Sequence, residues 1–238
     1  MGVRILILEG GEPLLWRDGA YSIHHVIEEA HKLFMSVGVT TNGTLPLHLP
    51  ASTIWVSIDG MESTHDRIRG PTFKRVMENI LTSSHPNIYA NITINRLNCA
   101  EVPDLIRHLS TLVKGCTIQF HYPYEEDGLC TTPEQRRWVL DRIMEIKREG
   151  ASVTDSYRAL KALRDRGWRC HDWMLANVDP DGRVNTGCYV RNRGPVACKQ
   201  CGFAAHVEIS QAFDLHLPSI LVGKRIFRYN ALRGFARK

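Results

Sequence analysis

The sequence predicts an α/β fold, a parallel sheet of β/α units followed by a small C-terminal cysteine-rich module. Three observations carry this. Short apolar runs alternate with amphipathic helical patterns as far as Arg166. Gly and Asn close several of those runs, where parallel strands feed their loops. After Gly167 the alternation stops, and four of the seven cysteines flank a hairpin-like segment.

Each element has its own reason. Residues 4–8 (RILIL) are almost continuously apolar, as a strand buried on both faces requires. Ile23, Val26, Ile27, Ala30, Phe34 and Val37 then fall on one helical face that stops at Gly38. Residues 39–41 form a brief strand ending in Thr41-Asn42-Gly43, and residues 53–58 (TIWVSI) a further one ending at Asp59-Gly60. Phe73, Val76, Met77, Ile80 and Leu81 mark a second helix. Residues 88–94 alternate as a two-faced strand, and a helix carrying Val102, Leu105, Ile106 and Leu109 opens near Pro103. Residues 116–121 (CTIQFH) are the fifth strand. Thr132-Pro133-Glu134-Gln135 is a capping box for a helix reaching about Glu149, and Asp155 is expected to cap another reaching about Arg166. Asp179-Pro180-Asp181-Gly182 is a tight turn joining residues 174–178 to 183–186 as a hairpin.

Composition excludes some classes. No apolar run reaches 18 residues, so no membrane-spanning helix is expected, and the start lacks the features of an export signal; the expected location is cytoplasmic. The net charge is +5, yet the six basic residues Lys224, Arg225, Arg228, Arg233, Arg237 and Lys238, with no acid among them, exceed it. The remainder is nearly neutral and has no footprint for nucleic acid. Residues 208–238 are accordingly expected as a basic amphipathic tail. It would either dock on the body or contact an anionic lipid surface peripherally.

Gly10-Gly11-Glu12-Pro13 follows the first strand directly. Two glycines permit backbone angles and close ligand approach that other residues resist, and Glu12 supplies an anionic acceptor suited to an amine. Alone, the string is equally a strand-to-helix turn. In context, residues 7–19 (ILEGGEPLLWRDG), then Thr41-Asn42-Gly43, then Val56-Ser57-Ile58-Asp59-Gly60 with His65-Asp66-Arg67-Ile68-Arg69-Gly70 and Phe73, resemble in order the radical S-adenosylmethionine family. The resemblance spans residues 4 to about 122. It implies an incomplete parallel (β/α)6-type partial TIM barrel over residues 1–150. It also implies an enzyme that makes a 5′-deoxyadenosyl radical from S-adenosylmethionine, fed by a reductase or ferredoxin-type electron donor. Gly10, Gly11 and Glu12 would hold the cofactor's amino end, with Asn42 beside them. Ser57 and Asp59 would face its ribose or carboxylate, and Arg69 would pair with that carboxylate. For Ser57, Asp59 and Arg69 plain loop stabilisation stays open, and Asn42-Gly43 is also an ordinary turn signal. His121 and Tyr122 end the fifth strand at the expected ligand mouth. Catalytic residues are not otherwise indicated.

Family members carry CxxxCxxC a few dozen residues before the Gly-Gly-Glu string; here nine residues precede Gly10 and none is cysteine. The expectation is a truncated, inactive form, with the radical-generating [4Fe–4S] cluster present only in a longer one and residues 4–8 left as an exposed sheet edge. Cys99, Cys116 and Cys130 are too dispersed to replace that motif and are expected as structural thiols.

Cys170, Cys188, Cys198 and Cys201, the last two a CxxC pair, can close a zinc or a [4Fe–4S] site. Spacing alone favours zinc. Resemblance to the shortened SPASM or twitch-like auxiliary module of the same family implies an auxiliary [4Fe–4S] cluster within residues 151–207. His171 and His206 are expected on the surface. The substrate class stays open among small molecule, lipid and peptide. A non-catalytic metal-binding scaffold is the alternative.

Overall fold

The computed structural model describes residues 2–122, 127–192, 194 and 196–227. Five parallel strands form one sheet: β1 (Ile5–Leu8), β2 (Ser36–Thr41), β3 (Thr53–Ser57), β4 (Ile88–Ile94) and β5 (Cys116–Phe120). Their spatial order is their chain order, so each strand is hydrogen-bonded to its successor. A doubly wound sheet would reverse direction at a switch point; this one winds a single way and curls into a half-barrel. The expected partial barrel is present.

The helices α1 (Ile23–Leu33), α2 (Glu62–Arg69), α3 (Phe73–Thr82), α4 (Val102–Leu109) and α5 (Pro133–Arg148) connect the strands or follow them. They cover one face of the sheet. Val37, Val39, Ile54, Val56, Ala90, Ile92, Ile94, Cys116, Ile118 and Phe120 point to that side and form the main core. Strand alternation sends the intervening residues to the opposite, concave face. There Asn91 lies opposite Thr117 and Thr93 opposite Gln119. Thr117 Oγ1 donates to Asn91 Oδ1 at 3.3 Å and Gln119 Nε2 to Thr93 Oγ1 at 3.2 Å. The wall of the half-barrel is thus polar near the strand ends.

A sixth strand position is held by one bridge, Val153 against Cys116, and not by a strand. Beyond it Asp155 replaces backbone with side chain: its Oδ2 accepts from Ile118 N at 3.0 Å. Asp155 was expected to cap the next helix. Ser156 does so instead, its Oγ accepting from Ala159 N, and the helix α6 runs Tyr157–Asp165. Asp155 is fully enclosed. Burial, and then the neighbouring Glu208 carboxylate, push its pKa up to about 7. Below the ordinary aspartate value both folded and unfolded chains hold the proton, and no penalty exists. Between about pH 4 and pH 7 only the unfolded chain ionises, so stability falls with rising pH by roughly 1.4 kcal/mol per unit and then levels off. Asp155→Asn removes this slope. Urea melts of both proteins from pH 4 to pH 8 check it, and parallel profiles would contradict it.

The cysteine-rich module contains the hairpin β6 (Ala176–Val178) and β7 (Val184–Thr186), closed by the Asp179–Gly182 turn. It is joined to the barrel where Phe203 pairs with Gln119 and Gly202 accepts from Phe120 N. Helices α7 (Ala204–Phe213) and α8 (Leu217–Ile226) follow. The end of α8 seals one mouth of the half-barrel. Ile226 and Phe227 pack on Trp55 and Tyr89, and the Ile226 carbonyl accepts from Thr53 Oγ1 at 2.7 Å and Asn87 Nδ2 at 3.2 Å. Of the tail's six cations, Lys224 and Arg225 lie on α8, while residues 228–238 fall outside the described residues. Among the described residues no helix is long and apolar enough to cross a membrane.

Candidate functional site

The first group of candidates sits on loops leaving consecutive strands, so the topology brings them to one rim. Gly10 (φ 93°) and Gly11 (φ 52°) occupy the left-handed region straight after β1. Glu12 follows in extended conformation, and its carboxylate joins two loops. Oε1 accepts from Leu14 N (3.1 Å) and Thr41 Oγ1 (2.7 Å), and Oε2 accepts from Asn42 N (2.7 Å). A carboxylate offers about four acceptor positions, so roughly one remains for a cationic donor. The Asn42 side chain is used locally: Oδ1 accepts from Thr44 N and Thr44 Oγ1.

Asp59 lies two residues beyond β3 and is buried, 2% exposed. Oδ1 accepts from Thr93 N at 2.7 Å, and Oδ2 pairs with Arg69 Nε at 2.5 Å. Its oxygens are therefore engaged within the protein, across β3, β4 and α2. Arg69 is held through Nε, which leaves its Nη groups as donors toward an anion. His65 lies beneath, accepting from Asp59 N at Nδ1; burial, then Arg69, lower its pKa, which suits a neutral acceptor. Ser57 ends β3 opposite Asn91. His121 pairs with Asp127 at 2.7 Å. Tyr122 does not open onto the rim: it stacks on Phe203 at 5.7 Å, its hydroxyl accepts from Ala197 N, and it belongs to the cysteine module.

The second group is the four cysteines. Cys170, Cys188, Cys198 and Cys201 all line one cavity of about 540 Å³, together with Tyr122 and His206. None is in a disulfide. Burial, and then Cys201, Asp172, Cys188 and Cys198, push the Cys170 thiol up to about 11, so the thiols are near enough to repel as thiolates. Such a set is stable when charged only around a cation or cationic cluster. The donor set therefore fits a thiolate-ligated metal group. Among the described residues no three His, Cys, Asp or Glu side chains are gathered to hold one ion.

Both nearby histidines are buried, contrary to expectation. His171 is 7% exposed, with Nε2 on Asp214 Oδ1 at 2.8 Å and its backbone N–H on Ser210 Oγ. His206 is 8% exposed, wedged against Phe203 and Tyr189, and its Nδ1 has no hydrogen-bond partner among the described residues. Burial pushes it down to about 4, so it is neutral. Cys99 and Cys116 are buried in the core, and burial raises the Cys116 thiol to about 12, an inert state.

Arg136 escaped the sequence reading. It is 5% exposed, and Nη2 donates to Cys201 O at 2.8 Å while Nε donates to Leu163 O at 3.0 Å. The available signal was its place on the buried stripe of α5 with Val139, Leu140 and Ile143.

A half-barrel wound in chain order, with a Gly-Gly-Glu-Pro elbow after its first strand and a cysteine module following it, is the arrangement that the resemblance to the radical S-adenosylmethionine family implies. Over 117 residues the chain is 35% identical to the sporulation killing factor maturation protein SkfB of Bacillus subtilis (strain 168). That match covers 44% of this chain and 28% of SkfB, so it spans well under a third of the relative's length. No family model matches the chain.

Proposed function

We propose that this chain contributes the half-barrel and auxiliary module of a radical S-adenosylmethionine enzyme that modifies a peptide precursor. SkfB is by name a maturation protein of a killing factor, and its likeness to this chain supports a peptide as the substrate class. The observation that carries the reading is the Glu12 carboxylate, fixed on the rim by three donors with acceptor capacity to spare.

When bound, S-adenosylmethionine beside a reducing iron–sulfur cluster supplies radical chemistry at unreactive carbon–hydrogen bonds. The residues of this chain would hold and orient it. Glu12 accepts from the ammonium of its amino acid end, and the Gly10–Gly11 backbone allows close approach. Arg69 meets the carboxylate through Nη, and buried Asp59 keeps that guanidinium in place. Ser57 lies on the same rim. Asn91, Thr93, Thr117 and Gln119 present a polar wall on the concave face of the half-barrel.

Cys170, Cys188, Cys198 and Cys201 would hold a second, auxiliary [4Fe–4S] group. The cavity of about 540 Å³ that all four cysteines line gives room for such a group, and the resemblance to the family's auxiliary module favours it over zinc. A reductase or ferredoxin-type donor would supply the electrons. The test is anaerobic reconstitution of the full chain with iron and sulfide. Roughly four irons per chain at this site are expected, lost in the Cys198→Ala/Cys201→Ala double variant. Uptake of one zinc and no iron would overturn the cluster assignment and favour a zinc scaffold.

A further inference from the structure

We propose that Arg136 is the built-in counter-charge of the four-cysteine site, a positioning residue that clamps the CxxC loop and offsets the negative charge of the group its thiolates hold. The proposal rests on the reading of those cysteines as metal ligands.

Arg136 is almost wholly enclosed between α5, the end of α6 and the CxxC loop. Its guanidinium meets backbone carbonyls of Leu163, Cys201 and, at 3.5 Å, Gln200, and it lies over the Phe120 ring at 4.4 Å. Among the described residues no carboxylate stands within ion-pair distance of it. Carbonyls and a ring solvate a guanidinium but do not neutralise it, and an uncompensated buried charge is costly.

The surroundings sharpen the point. Arg136 stands behind the CxxC loop, and Arg166, Arg191 and Lys199 line the cysteine cavity itself, against a single acid among the described residues, Asp172, which is already paired with Arg191 at 2.5 Å. The cavity is therefore cationic as built. Four deprotonated thiolates around an iron–sulfur core carry net negative charge, and Arg136 touches the very loop that presents two of them. Because its bonds are to backbone carbonyls of Gln200 and Cys201, it also holds the loop end that carries Cys201. A cation so placed favours the reduced, more negative form of the cluster.

The experiment is a potentiometric titration of the reconstituted full chain, followed by electron paramagnetic resonance, for wild type, Arg136→Gln and Arg136→Lys. In Arg136→Gln the ratio of reduced to oxidised cluster at the wild-type midpoint should drop at least about tenfold, equivalent to about 59 mV for one electron. Arg136→Lys keeps the charge and should hold that ratio within about twofold, even where thermal stability falls. Equal midpoints in all three proteins would overturn the proposal, and so would a lower melting temperature in both variants without a change of potential. Arg136→Met serves if the glutamine variant does not fold; failure of both neutral variants to fold without metal would mark a packing residue and overturn the proposal as well. Wild-type protein that takes up no cluster at these cysteines overturns the ligand reading itself, a separate result.

Discussion

Glu12→Gln is expected to weaken S-adenosylmethionine binding by about ten- to a hundredfold in the reconstituted protein, read by titration calorimetry. The magnitude follows from the charge. A hydrogen bond to an ionised partner contributes roughly 1.5–3 kcal/mol, about twice a neutral one. The amide also turns an NH2 group toward either Asn42 N or Thr41 Oγ1, both of which donate to the native carboxylate. It therefore loosens the loop as well as the ligand. Thr41→Val separates the two effects, since it removes one support and leaves the charge; its loss should stay below about tenfold. Equal affinity in wild type and Glu12→Gln would remove the observation on which the functional reading stands.

Gly202→Val should detach the cysteine module from the barrel. A Cβ at Gly202 would stand 2.3 Å from Phe120 Cβ and 3.1 Å from Phe120 Cα and N, and the backbone of β5 cannot yield there without losing its bond to Gly202 O. Overpacking of a rigid contact costs about 1–3 kcal/mol, and a clash against backbone sits at the upper end. For a chain of this size that lowers the melting temperature by roughly 10 °C. Iron at the four cysteines should fall with it, because Cys201 precedes the clash directly. A melting temperature and iron content unchanged from wild type would show that the module docks by another route.

Strands buried on both faces leave near-continuous apolar runs, which made residues 53–58 legible. Residues 4–8 are as apolar but form the half-exposed edge strand, with Ile7 40% exposed. Strand β2 begins at Ser36, so Val37 and Gly38 belong to it and not to the preceding helix. The glycine elbow and the Asp-Pro-Asp-Gly turn were legible because few residues adopt those backbone angles. Helix α2 was not: in ESTHDRIR the single fully buried side chain is His65, so no apolar stripe announces a helix. Nor was the burial of Asp155, His171 and His206. Polar residues are read as exposed by default, and for Asp155 and His171 a partner distant in sequence makes enclosure tolerable. Ile118 N serves Asp155 in this way and Asp214 serves His171. The same limit explains Arg136, whose partners come from α6 and the CxxC loop. Asp59 and Arg69 were marked for a ligand by their motif, and what the motif could not display is that they also hold each other.

The seal that α8 places over one mouth of the half-barrel bears on how the chain assembles. Thr53 and Ile226 are 173 positions apart, so a ribosome delivers the third strand long before its cover. Until then Trp55 and Tyr89 stay wet, and the nascent sheet offers chaperones an aromatic floor. Indole emission from Trp55 should shift to shorter wavelength as the last phase of refolding, after far-ultraviolet dichroism has settled.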